Sequence, residues 1–259
     1  MYLAKSIAAS GLRNQQFRID TIAHNVANVN SHGYKNARLD FKDSLYKTGI
    51  VPGPARSPQE NQQKGHGVIF TAITRDFKPG NMERTERELD FTIEGEGFFT
   101  LSNPAGGVSY TRNGVFHLSA EAGGLFLVNG QGLYVLDENG ERIQIPAETT
   151  AIQADIDGTL RFVRGDEFLG SERLGIFSFT NLKGLMVTGN ANFAHTPAAG
   201  EIIQVNDSVT VRQGILEASN VNLAEEMTRV IRTQRAFQLA SRALTTADEM
   251  QGIANNMRR

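Results

Sequence analysis

Proline is absent from both ends of the chain, since all seven prolines lie between Pro52 and Pro197. Proline breaks helices because it lacks a backbone N–H and its ring clashes with the preceding turn. Glycine is concentrated in the same central region, with 19 of the 26 glycines between Gly80 and Gly214. The sequence therefore predicts helical ends and a middle of a different structure.

The N-terminal segment carries apolar residues at alternating spacings of three and four, which is the pattern of a coiled-coil seam. Gln15 occupies the remaining seam position, and Gly33 is suited to the left-handed conformation that ends a helix. We therefore expect a helix from about Leu3 to about Asn30. Its apolar seam residues are Leu12, Ile19, Ile22, Val26 and Val29.

The C-terminal segment predicts a second, longer helix from about Asn222 to Met257, with Asn222 as its cap and Glu225 three residues later. Such a helix would be roughly 50 Å long, more than a core of this size needs. It therefore needs a partner, for which the N-terminal helix is the simplest candidate. The expected apolar seam residues are Leu223, Met227, Val230, Phe237, Leu244, Ala247, Ala254 and Met257, with Gln234 and Ser241 in the same seam.

The middle of the chain has short runs typical of β-strands, separated by turn dipeptides. The runs are 91–93, 97–101, 125–128, 132–136, 143–145, 159–163 and 174–179. The turn dipeptides are Asn113-Gly114, Asn129-Gly130, Asn139-Gly140 and Asp157-Gly158. Helical crossovers between the runs are lacking, which favours an antiparallel domain. The predicted fold class is α+β, with N- and C-terminal helices forming a coiled-coil stalk and an inserted antiparallel β-rich domain.

This pattern divides the chain into three parts. Residues 1–33 and 215–259 form the expected terminal helical domain, and residues 80–214 form the β-rich domain. Residues 34–79 are expected to be an extended linker or arm, because they include Pro52, Pro54, Pro58 and a polar, glutamine-rich stretch.

Composition excludes several kinds of chemistry. The chain has no cysteine, so it has neither disulfides, a thiolate metal site nor a cysteine nucleophile. A formal net charge of -2 lacks the positive field of a nucleic-acid binder. Its five histidines lie in five separate segments without metal-ligand spacing. We expect no catalytic site, no cofactor, no metal site, no cleavable leader and no membrane insertion.

Three short motifs have structural explanations. Gly95-Glu96-Gly97 precedes two phenylalanines and is interpreted as a strand-entry turn, not a nucleotide loop. The motif 155–158 resembles the start of a calcium loop but lacks its later ligands, so a hairpin turn is the better interpretation. A basic stripe on the C-terminal helix could contact phosphates or acidic groups of a neighbouring subunit, pair locally with glutamates, or be a solvated face. It consists of Arg229, Arg232, Arg235 and Arg242.

These observations favour an interaction protein whose terminal helices pack on copies of themselves. A monomeric secreted binding module is the main alternative of another class. It would need an exposed aromatic surface, whereas the candidates lie in alternating strand runs that favour the core. Those candidates are Tyr110, Phe116, Phe126 and Tyr134. An enzyme is the third class and lacks a clustered site.

Four motifs resemble those of the bacterial flagellar rod and hook proteins. The segment 23–35, AHNVANVNSHGYK, resembles the N-terminal signature of that family, with His24 where asparagine is usual. The segment 216–227, LEASNVNLAEEM, continued by 234–237, QRAF, resembles the C-terminal signature. The segments 95–99, GEGFF, and 110–116, YTRNGVF, resemble motifs of the β domain.

The resemblance implies an axial protein of the flagellum, exported through the flagellar type III apparatus without a cleaved leader and polymerised through its terminal helices. Its partners would be copies of itself and other rod and hook proteins. Chain length and the 95–99 motif are more similar to the distal rod members, while a proximal rod or hook subunit is the alternative.

For such a polymer we predict a set of subunit-packing residues. The apolar members would bury area between helices, and three asparagines could fix register between subunits or simply cap helices. The set is Leu12, Ile19, Ile22, Asn25, Val26, Asn28, Val29, Asn222, Met227, Val230, Phe237 and Leu244.

Overall fold

The computed structural model describes residues 2–44, 47–49, 62–64, 67–103, 106–121, 124–205 and 208–257. It is an α+β structure with an N-terminal helix, a C-terminal helix and a β-rich region between them. The chain forms two compact units. Unit 1 contains Met1–Ala27, Ala37–Asp76 and Asn222–Arg259, and unit 2 contains Asn28–Asn36 and Phe77–Val221.

Among its described residues, unit 1 has two helices and four strands. They are α1 (Tyr2–Ala27), β1 (Ala37–Asp43), β2 (Lys47–Gly49), β3 (Gln62–Lys64), β4 (Val68–Arg75) and α2 (Leu223–Asn256). In the part of the chain that the structure describes, no helix has the length and apolar character needed to cross a membrane.

Unit 2 contains the remaining strands and two single 3₁₀ turns. The strands are β5 (Met82–Arg84), β6 (Phe91–Glu94), β7 (Phe98–Ser102), β8 (Val108–Thr111), β9 (Phe116–Glu121), β10 (Gly124–Asn129), β11 (Tyr134–Val135), β12 (Gln144–Ile145), β13 (Ala151–Ala154), β14 (Thr159–Arg164), β15 (Glu167–Arg173), β16 (Ile176–Phe179), β17 (Met186–Gly189), β18 (Asn192–Ala194), β19 (Ile202–Gln204), β20 (Thr210–Gln213) and β21 (Ile215–Glu217). The seven strand runs expected from the sequence are therefore confirmed.

Helix α1 ends at Ala27, a few residues earlier than the spacing predicts. A turn follows it, in which the amide and hydroxyl of Ser31 donate to the backbone and side-chain oxygens of Asn28. These bonds give the chain an alternative to another helical turn. Gly33 does adopt the expected left-handed conformation, with φ +67°, but it does so six residues beyond the helix end.

The predicted start of helix α2 is confirmed. The side-chain oxygen of Asn222 accepts hydrogen bonds from the amides of Ala224 and Glu225, at 3.0 and 3.3 Å. Two N–H groups that have no helical carbonyl partner are thereby satisfied, which is the role of an N-cap residue. The helix ends at Asn256, one residue before the predicted end.

The region between the helices of unit 1 contributes two antiparallel strand pairs. Strands β1 and β4 pair along their length, with a bulge between Asp40 and Phe41, and β2 pairs with β3. The expected linker or arm therefore contains paired strands. Residues 50–61, with the three clustered prolines, lie outside the described residues.

Every strand pair described in unit 2 is antiparallel, as the sequence predicts. The largest sheet has the order β12-β10-β11-β7-β8-β18-β17, with β9 on β10, β16 on β7 and β19 on β16. Strands β13-β14-β15 form a separate meander. The main core includes the fully buried Phe91, Phe99, Phe116 and Leu160.

Three of the four predicted hairpin turns are confirmed. Asn129-Gly130 and Asp157-Gly158 connect paired strands, and Asn139-Gly140 lies in the turn that the bridge between residues 136 and 142 closes. Asn113-Gly114 separates β8 from β9 as predicted but closes no hairpin, because β8 pairs with β7 and β18 while β9 pairs with β10. Gly114 is needed there for a close approach: a Cβ would lie 1.7 Å from the carbonyl oxygen of Phe91.

Candidate assembly surface

Helix α1 has a stripe of buried and half-buried residues at alternating spacings of three and four. The stripe consists of Lys5, Ala8, Leu12, Gln15, Ile19, Ile22 and Val26. It includes four of the five apolar seam residues expected from the sequence. The fifth, Val29, lies beyond the helix end and is half-buried in unit 2.

Helix α2 has a corresponding inner stripe. Its members are Glu226, Val230, Thr233, Phe237, Ala240, Leu244, Ala247, Gln251 and Ala254, all buried or half-buried, again at spacings of four and three. The two helices contact each other within unit 1, and Lys5 of α1 forms an ion pair with Asp248 of α2. Val230, Phe237 and Leu244 lie in this stripe as expected.

The buried stripe of α2 differs from the expected seam at some positions. Met227 and Leu223 are 47% and 45% exposed, whereas Glu226 and Thr233 are buried. Arg229 explains the buried carboxylate, because its guanidinium donates to Glu226 at 2.7 Å. The Thr233 hydroxyl donates to the Arg229 carbonyl, which satisfies a second polar group on this face.

Arg229 also donates to Glu225 at 2.5 Å. The local pairing considered for the basic stripe is therefore found at its first member. The other three arginines of the stripe, Arg232, Arg235 and Arg242, are exposed.

A second apolar stripe of α2 is exposed. This outer stripe consists of Leu239, Ala243, Thr246, Met250 and Ile253, and it continues at Met257 directly after the helix, at spacings of four and three. Leu239 is 65% exposed, Met250 58% and Ile253 59%. Exposed large apolar residues in a regular stripe mark an interaction surface, and this spacing suits another helix.

Unit 1 also has an apolar groove of about 470 Å³ between α1 and the β1–β4 pair. Phe17, Phe70 and Ile73 line it and are 41–54% exposed, and Leu39 lies at its buried side. The rings of Phe17 and Phe70 are 6.0 Å apart. The groove adds apolar surface to the same unit that carries the outer stripe.

The three predicted asparagines make hydrogen bonds within the chain. The buried amide of Asn25 donates to the Ala37 carbonyl at 2.8 Å and accepts from the Ala37 amide at 2.9 Å, which fixes the start of β1 against α1. Asn28 holds the turn after α1, and Asn222 caps α2. Each of these hydrogen bonds joins two residues of the same subunit.

Unit 2 contains a buried charged cluster that the sequence does not predict, which we call the connector cluster: Lys35, Arg112 and Glu217. Their side chains are 1%, 5% and 2% exposed. The Glu217 carboxylate accepts from Lys35 Nζ at 2.6 Å through Oε1 and from Arg112 at 3.4 Å through Oε2. Burial lowers the pKa of Arg112, and Glu217 opposes that shift by favouring the charged form.

The cations of the connector cluster also bind backbone carbonyls. Lys35 donates to the Lys78 carbonyl at 2.8 Å. Arg112 donates to the carbonyls of Ile93 and Gly95, at 3.1 and 2.5 Å, and lies over the Phe98 ring. These bonds hold buried charges that would otherwise be costly.

Among the described residues, no group of three or more His, Asp or Glu side chains is placed to hold a metal ion. Asp157 accepts from the amide and hydroxyl of Thr159, as the hairpin interpretation of 155–158 requires. Three of the four aromatic candidates for a binding module lie inward: Phe116 is fully buried, and Tyr110 and Tyr134 are 5% and 6% exposed. Phe126 is half-buried.

Three family models match successive parts of the chain. Residues 6–35 match "Flagella basal body rod protein", and residues 92–162 match "Flagellar hook protein FlgE/F/G D1 domain". Residues 212–257 match "Flagellar basal body rod FlgEFG protein C-terminal". The first and last matches include Lys35 and Glu217, and the middle match includes Arg112.

Curated relatives match over nearly the whole length. The flagellar basal-body rod protein FlgG of Borreliella burgdorferi is 37% identical over 97% of this chain and 97% of its own. FlgG of Bacillus subtilis is 32% identical over 96% and 97%. The flagellar hook-basal body complex protein FlhP of the same organism is 32% identical over 99% and 100%.

Proposed function

This chain belongs to the family of flagellar basal-body rod proteins, and from that premise we propose that it polymerises into a helical tube that transmits torque from motor to hook. Family membership makes it a structural subunit of the rod, located in the flagellar basal body. Its proposed partners are copies of itself, other rod and hook proteins, and the flagellar export apparatus. We propose no catalytic activity.

The outer stripe of α2 is the observation that carries this proposal. We infer that the inner stripes of α1 and α2 pack on each other within the subunit, which leaves the outer stripe for a helix of another subunit. Burial of an apolar side chain of this size stabilises by about 1.5–3 kcal/mol. The repeat of one such heterologous contact generates an open helical polymer unless the rotation closes a ring.

The predicted apolar packing residues would contribute both to the contact within a subunit and to the contact between subunits. Leu12, Ile19, Ile22, Val26, Val230, Phe237 and Leu244 would stabilise the helix pair within a subunit. The exposed Met227 would contact a neighbouring subunit. Val29, Asn25, Asn28 and Asn222 would contribute indirectly, by fixing where the helices end and where β1 begins.

The full-length similarity to FlgG relatives supports a distal rod position, with a proximal rod or hook subunit as the alternative. A strain that lacks this protein tests the position. We expect assembly to stop before the hook is built. A complete hook in that strain would contradict a rod position.

Substitutions in the outer stripe test the polymer. We expect the double variant Leu239→Gln and Ile253→Gln to abolish tubes in electron micrographs of concentrated protein while the monomer keeps its helical content. Arg242→Gln with Glu249→Gln is the matched control, because both residues are exposed on α2 outside the stripe and the net charge stays constant. Normal tubes in the stripe variant would refute this role.

A further inference from the structure

The connector cluster brings together residues of unit 2 that are distant in sequence. Segment Asn28–Asn36 of unit 2 follows α1, and we call it the first connector. Residues 215–221, which precede α2, form the second connector. Residues 77–81, which follow β4, form a third segment that contacts both connectors.

The polar contacts of the first connector converge on the second. The Gly33 amide donates to the Glu217 carbonyl at 2.8 Å, and the Asn36 amide donates to the Asn220 side chain at 2.7 Å. Lys35 adds its buried ion pair with Glu217. The residues of this ion pair are 182 positions apart in the sequence.

The second connector has additional support of its own. Strand β21 pairs with β5, and the Ala218 amide donates to the Asn81 carbonyl at 2.8 Å. The Glu217 carboxylate also accepts from the Gly80 amide at 2.9 Å. The two connectors therefore differ: the second pairs with strand β5, whereas the first binds the second through the Gly33 and Asn36 amides and the Lys35 ammonium, and reaches the third segment through the Lys78 carbonyl.

The buried charges make the first connector depend on the Glu217 carboxylate. Without the Glu217 carboxylate, docking of the first connector would bury the ammonium of Lys35 close to the guanidinium of Arg112. The other acidic residue that acts on Arg112, Glu96, is exposed. A buried cation that loses its anionic partner is strongly destabilising.

We propose that the connector cluster is an interlock, in which the first connector docks on unit 2 only after the second connector is in place. The segment that is synthesised early is thus the one that docks late. Any chain whose residues 215–221 are not yet in place keeps the first connector, and the signature residues within it, undocked. This inference goes beyond the proposed function, since it holds for the isolated subunit.

Hydrogen exchange on the full chain tests the interlock. In Glu217→Gln we expect the Gly33 and Asn36 amides to exchange about 10- to 100-fold faster, the factor for a lost hydrogen bond to a charged group. The β7 and β21 amides should change less than threefold. Glu148→Gln, which removes an exposed carboxylate paired with Arg164, is the control and should change neither.

Two results would overturn the interlock. One is unchanged protection of Gly33 and Asn36 in Glu217→Gln. The other is an equal loss of protection throughout unit 2, which would make Glu217 a residue of global stability only.

A second variant and a kinetic measurement cover the case in which Glu217→Gln does not fold. Asn220→Ala removes the acceptor of the Asn36 amide and the donor to the Lys78 carbonyl. It should open the first connector alone. In pulse-labelled refolding of the unmodified chain, Gly33 and Asn36 should gain protection no earlier than β21, and earlier protection would refute the order.

Discussion

Gly33→Ala should be among the most destabilising single substitutions in unit 2. Gly33 has φ +67°, a left-handed conformation that costs an L-residue about 1–2 kcal/mol. A Cβ at this position would lie 2.4 Å from the Asn113 nitrogen and 2.6 Å from the Arg112 carbonyl carbon. Both neighbours are backbone atoms, so no flexible side chain can move away.

The two effects add to a measurable loss. Overpacking of a tight site costs about 1–3 kcal/mol, and displacement of Gly33 breaks its 2.8 Å hydrogen bond to the Glu217 carbonyl, worth about 1 kcal/mol. With the conformational cost of about 1–2 kcal/mol included, we expect the free energy of unfolding to fall by about 3–6 kcal/mol. Urea unfolding followed by near-ultraviolet circular dichroism measures it.

Gly165→Ala is the matched control. Gly165 has a similar φ of +61°, but a Cβ there would meet no atom within 4 Å. It should lose only the conformational part, about 1–2 kcal/mol. Equal losses in the two variants would refute the argument that the close approach of the first connector to β-unit backbone is stabilising.

Three further predictions follow from individual residues. Phe237→Asp places a charge in the inner stripe, so it should abolish the assemblies seen in electron micrographs while unit 2 stays folded. Gln238 is the exposed residue next to it, and the control variant Gln238→Asp should still assemble. Ala191→Gly should raise the free energy of unfolding in urea by about 0.5–1 kcal/mol, since Ala191 has φ +59°; a loss of stability would contradict the strain. Burial raises the pKa of the half-buried Glu172 above its usual 4.5, so the native state binds its proton more tightly and the associated stability is lost as the pH rises through that raised pKa. Glu172→Gln should therefore be more stable than the natural chain at pH 7, by less than about 1 kcal/mol because solvent screens the site. This difference should vanish below about pH 4. A variant less stable than the natural chain at pH 7 would contradict the prediction.

The helices were predictable because their pattern is local. Proline-free ends and apolar spacings of three and four give both helices, and the capping pattern places the start of α2 at its observed residue. The end of α1 was not predictable from spacing, because the Asn28–Ser31 turn competes with the helix through side-chain bonds that apolar periodicity does not contain.

The phase of the α2 seam was only partly predictable. Glu226 and Thr233 are polar, so a search for apolar residues passes over them and selects Met227 instead. Their burial depends on Arg229, which pairs with one and accepts from the other through its carbonyl. The second apolar stripe on the same helix makes the apolar spacing of the buried stripe harder to identify from the sequence.

The connector cluster leaves no periodic signal in the sequence. Lys35 and Glu217 are far apart along the chain, and a charged residue without a visible partner is usually exposed. The two segments meet in the folded unit 2, where Gly33 and Lys35 both bind Glu217. The family signatures contain these residues, but the motifs alone do not indicate that they bind each other.

A reconstruction of the assembled protein by electron cryomicroscopy tests the central claim most directly, because it shows what covers the outer stripe of α2. We predict a helix of a neighbouring subunit packed along Leu239, Met250 and Ile253, with the α1–α2 contact of each subunit preserved. An assembly joined only through unit 2, with the outer stripe facing solvent, would contradict the account.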